Sequence, residues 1–108
     1  MRVLSIVSIL IFFNRVIENM TNDLGPIGLK LHAKLQAALA PNALLVIDES
    51  NQHHGHAGAH PSGESHFRVR ISSQSFAGKS LVQKHRMVNE AVSEELKTRV
   101  HALAIEVV

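Results

Sequence analysis

Five of the 8 histidines in this 108-residue chain fall close together, at His53, His54, His56, His60 and His66. Imidazole is the commonest protein metal ligand and binds in its neutral form. Four of these rings sit in the stretch 51–63 (NQHHGHAGAHPSG), where glycines leave the backbone free to aim one or two of them at a metal. A solvated polar loop, or adventitious zinc and nickel binding, accounts for the same pattern, because HxH spacing alone does not make a site. His101 is different. It adjoins an apolar, strand-like run, and reads either as a ligand or as a half-buried structural histidine. His85 falls on a helical apolar stripe and reads as structural.

A second group is basic: Lys79, Lys84 and Arg86, at the expected start of a helix. Positive charge there opposes the helix macrodipole. An anionic partner would relieve that, such as phosphate, a peptide carboxylate or glutathione; a solvated helix face is the simpler alternative. Other chemistries are excluded. There is no cysteine, hence no disulfide, no thiolate zinc site, no cysteine nucleophile and no iron–sulfur cluster held by the chain's own thiols. No GxSxG, Walker A, HExxH or paired-carboxylate pattern occurs, so no enzyme is expected. With a net charge of +2, no Trp, no Tyr and 4 Phe, both a bulk electrostatic pull on nucleic acid and base-stacking platforms are weak.

The elements that must position these groups follow from periodicity. Residues 1–23 read as an extension outside the domain. Val3 to Phe13 is an apolar run too short to span a bilayer as a helix, which needs about 20 residues. Translation from Met20 is the preferred expectation, with a cytoplasmic protein as the result; residues 1–19 as an organellar or export signal, or as a membrane-surface anchor, are the alternatives. Residues 24–108 form the domain, and no membrane association is expected of it. Ile27, Leu31, Leu35, Ala38 and Leu39 recur at helical spacing, with Pro26 at the first turn and Pro41 beyond the end. Leu44 to Ile47 reads as a strand that Asp48-Glu49-Ser50 terminates. His66 to Ile71 alternates: Phe67, Val69 and Ile71 face a core, while His66, Arg68 and Arg70 face away. This second strand should run antiparallel to the first. Ser80 suits an N-cap, and Leu81, His85, Val88, Val92 and Leu96 mark one long second helix. Val100 to Val108 is a third strand, with His101 heading the face of Leu103, Ile105 and Val107. The order α-β-β-α-β predicts a small α+β fold, a three-stranded sheet with helices packed on one face.

Taken in order, several segments resemble the BolA family. They are Asp48-Glu49-Ser50, the His-containing loop, Glu64-Ser65-His66-Phe67-Arg68-Val69, Phe76-Ala77-Gly78-Lys79-Ser80, Lys84-His85-Arg86-Met87-Val88, Glu94-Glu95-Leu96 and Val100-His101-Ala102-Leu103-Ala104-Ile105. The resemblance covers roughly residues 24–108. It implies a BolA-like fold similar to class II KH domains, and a monothiol glutaredoxin of the CGFS type as partner. It also implies a bridging [2Fe–2S] cluster, with the thiolates supplied by the glutaredoxin and glutathione. On that pattern this chain supplies His101 and one loop histidine, His56 first, with His53 and His54 as alternates. Imidazole in place of thiolate makes such a cluster less negative and raises its potential, and ties ligation to pH. Lys79, Lys84 and Arg86 would then steer glutathione carboxylates. The rival reading is a KH-like DNA-binding transcriptional regulator in which the same three side chains touch phosphates. The KH clamp needs a GxxG loop, and here Ala77-Gly78-Lys79-Ser80 carries one glycine. Metal buffering by the loop alone, and a homodimer, complete the expectations.

Overall fold

The computed structural model describes residues 24–50 and 63–108. The N-terminal extension and His53, His54, His56 and His60 lie outside these. Helix α1, Pro26–Leu39, starts with proline in its first turn, where no N–H is needed. It ends at Ala40 in a left-handed conformation (φ 42°), one residue before Pro41. Strand β1, Ala43–Asp48, pairs antiparallel with β2, His66–Ser72. A short 3-10 turn, Gln74–Phe76, drops Phe76 into the core. Gly78 then takes φ 74°, a left-handed turn that glycine adopts without steric cost. Helix α2, Leu81–Ala91, follows, then α3, Ser93–Thr98, and strand β3, Ala102–Val107. β3 joins β2 in parallel, giving the order β1-β2-β3. The expected three-stranded α+β architecture is present.

Four details differ from expectation. The second helix is two helices. Val92 leaves helical geometry (φ −117°, ψ 24°), and α3 opens with Glu94 and Glu95 in its first turn, where carboxylates favour a new N-terminus. The apolar spacing of Val88, Val92 and Leu96 runs through the break, so periodicity alone hides it. The third strand begins at Ala102, not Val100: Val100 is buried in the core, and His101 forms an exposed bend ahead of the strand. Leu81 and Ala38 are exposed despite their register, so the outer end of each stripe lies outside the core. His66, expected to face solvent, is only 6% exposed.

The core forms where α1 (Leu31, Leu35, Leu39) meets Val46, Phe67, Val69 and Ile71 of the sheet, with Val88, Val92 and Val100 closing it. The opposite sheet face carries charge. Arg68 Nε donates to Glu49 Oε2 at 3.0 Å and its Nη1 to Glu106 Oε1 at 2.7 Å, while Arg70 Nε reaches Glu106 Oε2 at 2.6 Å. The Arg70 bond, with Arg68 adding to it, holds Glu106 below its ordinary carboxylate value. These guanidiniums are therefore engaged within the sheet and do not extend the basic group on α2.

One long-range contact ties α1 to the end of the histidine loop. Glu64 Oε1 accepts from Ile27 N at 2.8 Å and Gly28 N at 3.2 Å, two N–H groups of the first helical turn. Among the described residues no local side chain caps this helix. Glu64 holds φ 57°, a left-handed conformation costly for a residue with a side chain, and the cap offsets that cost. Gly25 leaves room for the carboxylate, since a Cβ there would stand 2.5 Å from Glu64 Oε1. Gly25→Ala is expected to swing the carboxylate off both N–H groups and cost about 1 kcal/mol, the usual worth of a helix cap. Urea unfolding checks this. In a Glu64→Ala background the same substitution should add almost nothing; a full additional loss would mean that Gly25 matters for some other reason.

Candidate functional site

The site is built where the histidine loop leaves and rejoins the sheet. Asp48 ends β1 and accepts from Ser50 N at 2.9 Å and from the Ser50 hydroxyl. Ser50 Oγ in turn accepts from Ser65 N at 2.9 Å and His66 N at 3.3 Å. A hydroxyl can donate once and accept twice, so this buried serine pins both ends of the loop together. Across the closure, Ser65 O accepts from His101 N at 2.7 Å and Ala102 N at 3.2 Å. The bend that carries His101 is thus hung from the loop base. The His66 and His101 rings lie 5.2 Å apart between centroids, tilted by 48°. His66 Nδ1 stands 2.9 Å from Ser65 Oγ. One ring is buried and the other exposed, so the inner imidazole backs the outer one.

A shallow cleft of about 300 Å³ opens beside His101, lined among others by Ser65, Lys97 and Arg99. Arg99 also reaches back to Gly63 O at 3.4 Å. The expected basic group behaves differently. Lys79 and Arg86 line a separate depression of about 210 Å³ with Gln83 and Glu90, and Lys84 is not part of it. Gln83 and Ser80 are occupied in a reciprocal capping box at the start of α2. Because β2 and β3 are parallel, the chain between them must run back along the sheet. Lys79 lies at the entry of that crossover and His101 at its exit. A seven-residue strand spans roughly 20 Å, so the two groups belong to opposite ends of the domain.

Of the residues singled out from sequence, His101 is therefore placed beside the loop base, while His56, His53 and His54 lie outside the described residues. Lys79, Lys84 and Arg86 are not brought to His101. Four further residues at the site, Ser50, His66, Lys97 and Arg99, are not singled out by the sequence as site residues; Ser50 reads there only as part of a strand end. Lys97 and Arg99, at the end of the expected second helix, read from sequence as complementing its macrodipole, and His66 reads as facing solvent by strict alternation. Among the described residues no group of three or more His, Asp or Glu is arranged to hold a metal. His101 would need ligands from elsewhere.

Comparison with known proteins is consistent in one direction. A family model described as BolA-like protein matches residues 35–108. BolA-like protein 1 of Mus musculus is 48% identical over 82 residues, spanning 76% of this chain and 57% of that protein. SufE-like protein 1, chloroplastic/mitochondrial, of Arabidopsis thaliana is 45% identical over 86 residues, spanning 76% of this chain but only 23% of that protein. The solved BolA domain of SufE1 from Arabidopsis thaliana superposes with a TM-score of 0.70 at 44% identity, covering 78% of this chain and 92% of that domain. The chain thus spans less than two thirds of both full-length relatives. No helix among the described residues is long and apolar enough to cross a membrane.

Proposed function

Because the chain belongs to the BolA-like family, we propose that it is a non-catalytic adaptor that binds a monothiol glutaredoxin and helps to hold a bridging [2Fe–2S] cluster, in iron–sulfur trafficking or iron and redox regulation. The observation that carries this reading is His101: an exposed imidazole on a bend whose backbone is fixed to the base of the histidine loop. The donor chemistry fits. A chain without cysteine cannot hold a cluster alone, but two imidazoles, here His101 and one of His56, His53 or His54, can complete one whose thiolates come from glutaredoxin and glutathione. Two imidazoles among the ligands would raise the reduction potential of the bound cluster relative to an all-thiolate set. His66 backs the His101 ring, and the Ser65 carbonyl fixes the backbone that carries it. Both limit the freedom that ligation would otherwise have to remove. An organellar compartment is one reading, since the names of plant relatives place those proteins in chloroplasts or mitochondria; the cytoplasm is the other.

The test mixes the full chain with a monothiol glutaredoxin, glutathione, iron and sulfide, and records visible absorption and circular dichroism. A heterodimer with a cluster spectrum is expected, and His101→Ala should change that spectrum or prevent its formation. His56→Ala, His53→Ala and His54→Ala identify the second ligand in the same assay. A spectrum indifferent to His101, or no heterodimer, would sink the reading. Salt-dependent DNA binding through Lys79, Lys84 and Arg86 would then be the next measurement.

A further inference from the structure

We propose that the cleft beside His101 is a docking site for an acidic segment of the partner protein, with Lys97 and Arg99 as its carboxylate-binding rim. The proposal deepens the glutaredoxin reading and rests on it. It starts from how α3 distributes its charges. Glu94 and Glu95, in the first turn, are both drawn to Lys34 on α1, whose Nζ lies 3.1 Å from Glu94 Oε2 and 2.6 Å from Glu95 Oε2. Hydrogen bonds to Glu95 and Glu94 raise the Lys34 pKa, and the Lys34 bond holds Glu94 low. The acidic half of α3 is therefore spent against the neighbouring helix. Its basic half, Lys97 and then Arg99 at the C-cap, lines the cleft that holds His101. Among the described residues, no carboxylate pairs with Lys97.

The C-terminal end of α3 is in part tied up by the chain itself. Glu95 O accepts from Arg99 N at 2.9 Å and Val100 N at 2.7 Å, and Glu94 O accepts from Thr98 Oγ1 at 2.8 Å. Glu95 O, the first of the four carbonyls at the helix end, is thus engaged within the chain. The cleft wall is thus positive and polar, directly beside the ring expected to meet the partner. At about 300 Å³ it is at the small end of ligand sites, which run from roughly 300 to 1,000 Å³. That is room for one or two carboxylate side chains. It is not the extended cationic track that a nucleic-acid backbone requires. Arg presents a planar fork to a carboxylate and Lys a point charge, so the pair suits an acidic peptide segment.

Charged rims act mainly on association rate and salt dependence, and that separates this site from the ligand itself. Binding of the full chain to a monothiol glutaredoxin, with glutathione, iron and sulfide present, is measured at low and at near-physiological salt. The variants are Lys97→Glu/Arg99→Glu, the milder Lys97→Gln/Arg99→Gln, and Lys79→Glu/Arg86→Glu. The charge reversal at the cleft is expected to weaken binding tenfold or more, chiefly through slower association, and to flatten its salt dependence. The neutral pair should fall between it and the wild type. The saturated complex should keep the wild-type dichroism, in contrast to His101→Ala. Thermal unfolding of each variant confirms that it folds. Unchanged binding by Lys97→Glu/Arg99→Glu, or a loss confined to Lys79→Glu/Arg86→Glu, overturns the docking site and leaves the adaptor reading standing. Failure of the wild-type chain to bind any glutaredoxin overturns both. Binding of glutathione alone to the chain, lost in Lys97→Glu/Arg99→Glu while association of that variant with the glutaredoxin is unchanged, assigns the cleft to the small thiol and overturns the protein-segment proposal.

Discussion

Replacing Phe67 by alanine is expected to be the most destabilising single change in the domain, at about 3–5 kcal/mol. The side chain is 2% exposed and sits where three elements meet. It belongs to the central strand, with β1 on one side and β3 on the other. α1 presses on it so closely that a Cβ on Gly28 would come within 3.2 Å of Phe67 Cε1. A strand hydrogen-bonded on both sides cannot easily shift to fill the space, so most of the cavity would persist. For a domain of this size each kcal/mol moves the melting point by roughly 4–8 °C, which brings Phe67→Ala near the limit of folding at physiological temperature. Urea unfolding should give a lower midpoint at an unchanged slope. Phe67→Leu should recover much of the loss. A cost under about 1.5 kcal/mol for the alanine variant would mean that α1 collapses onto β2 and that the packing described here is looser than its geometry implies.

The second large effect is expected at Ser50, and it joins stability to the candidate site. Ser50→Ala removes the acceptor of Ser65 N and His66 N at a buried position. An unsatisfied buried N–H costs about 1–3 kcal/mol. The stronger of the two bonds, to Ser65 N, sets the expected loss within that range. The local consequence is more specific than the global one. Ser65 O holds His101 N and Ala102 N, so loosening Ser65 should free the bend that carries His101. Amide hydrogen exchange at Ser65, His66, His101 and Ala102 should accelerate well beyond what the drop in global stability accounts for, while Val69 and Ile71 follow the global value. Uniform acceleration across all of these amides would show that Ser50 contributes to overall stability without organising the site.

Much of this architecture is legible in the residues. The helix from Pro26 to Leu39 follows from its spacing and its two prolines, and the alternation of Phe67, Val69 and Ile71 states which sheet face is buried. Ser80 announces an N-cap by residue type, and the structure adds Gln83 as its reciprocal partner. These are local effects: a side chain's relation to its own next turn or strand neighbour is written within a few residues. The break at Val92 was not legible, because apolar periodicity continues across it and no glycine or proline marks it. The burial of His66 was not legible either. Its strand parity points it toward the open face, and what covers it comes from distant parts of the chain, with the His101 ring 35 positions away.

Residue types alone determined the chemical limits of the protein. Without cysteine, it has no thiolate to offer a cluster, and the ordered set of short motifs from Asp48 to Ile105 pointed to the family. What only the tertiary structure decided is which charges and rings share a location. The parallel pairing of β2 with β3 sends Lys79 and His101 to opposite ends of the crossover, although both were candidates for one site. The same pairing sets His101 on the Ser65 carbonyl, at the base of the histidine loop. Glu64 likewise becomes a helix cap only through a contact 37 residues long. Such placements depend on how strands pair and helices cross, and these are settled by burial summed over the whole core, which no single stretch of sequence contains.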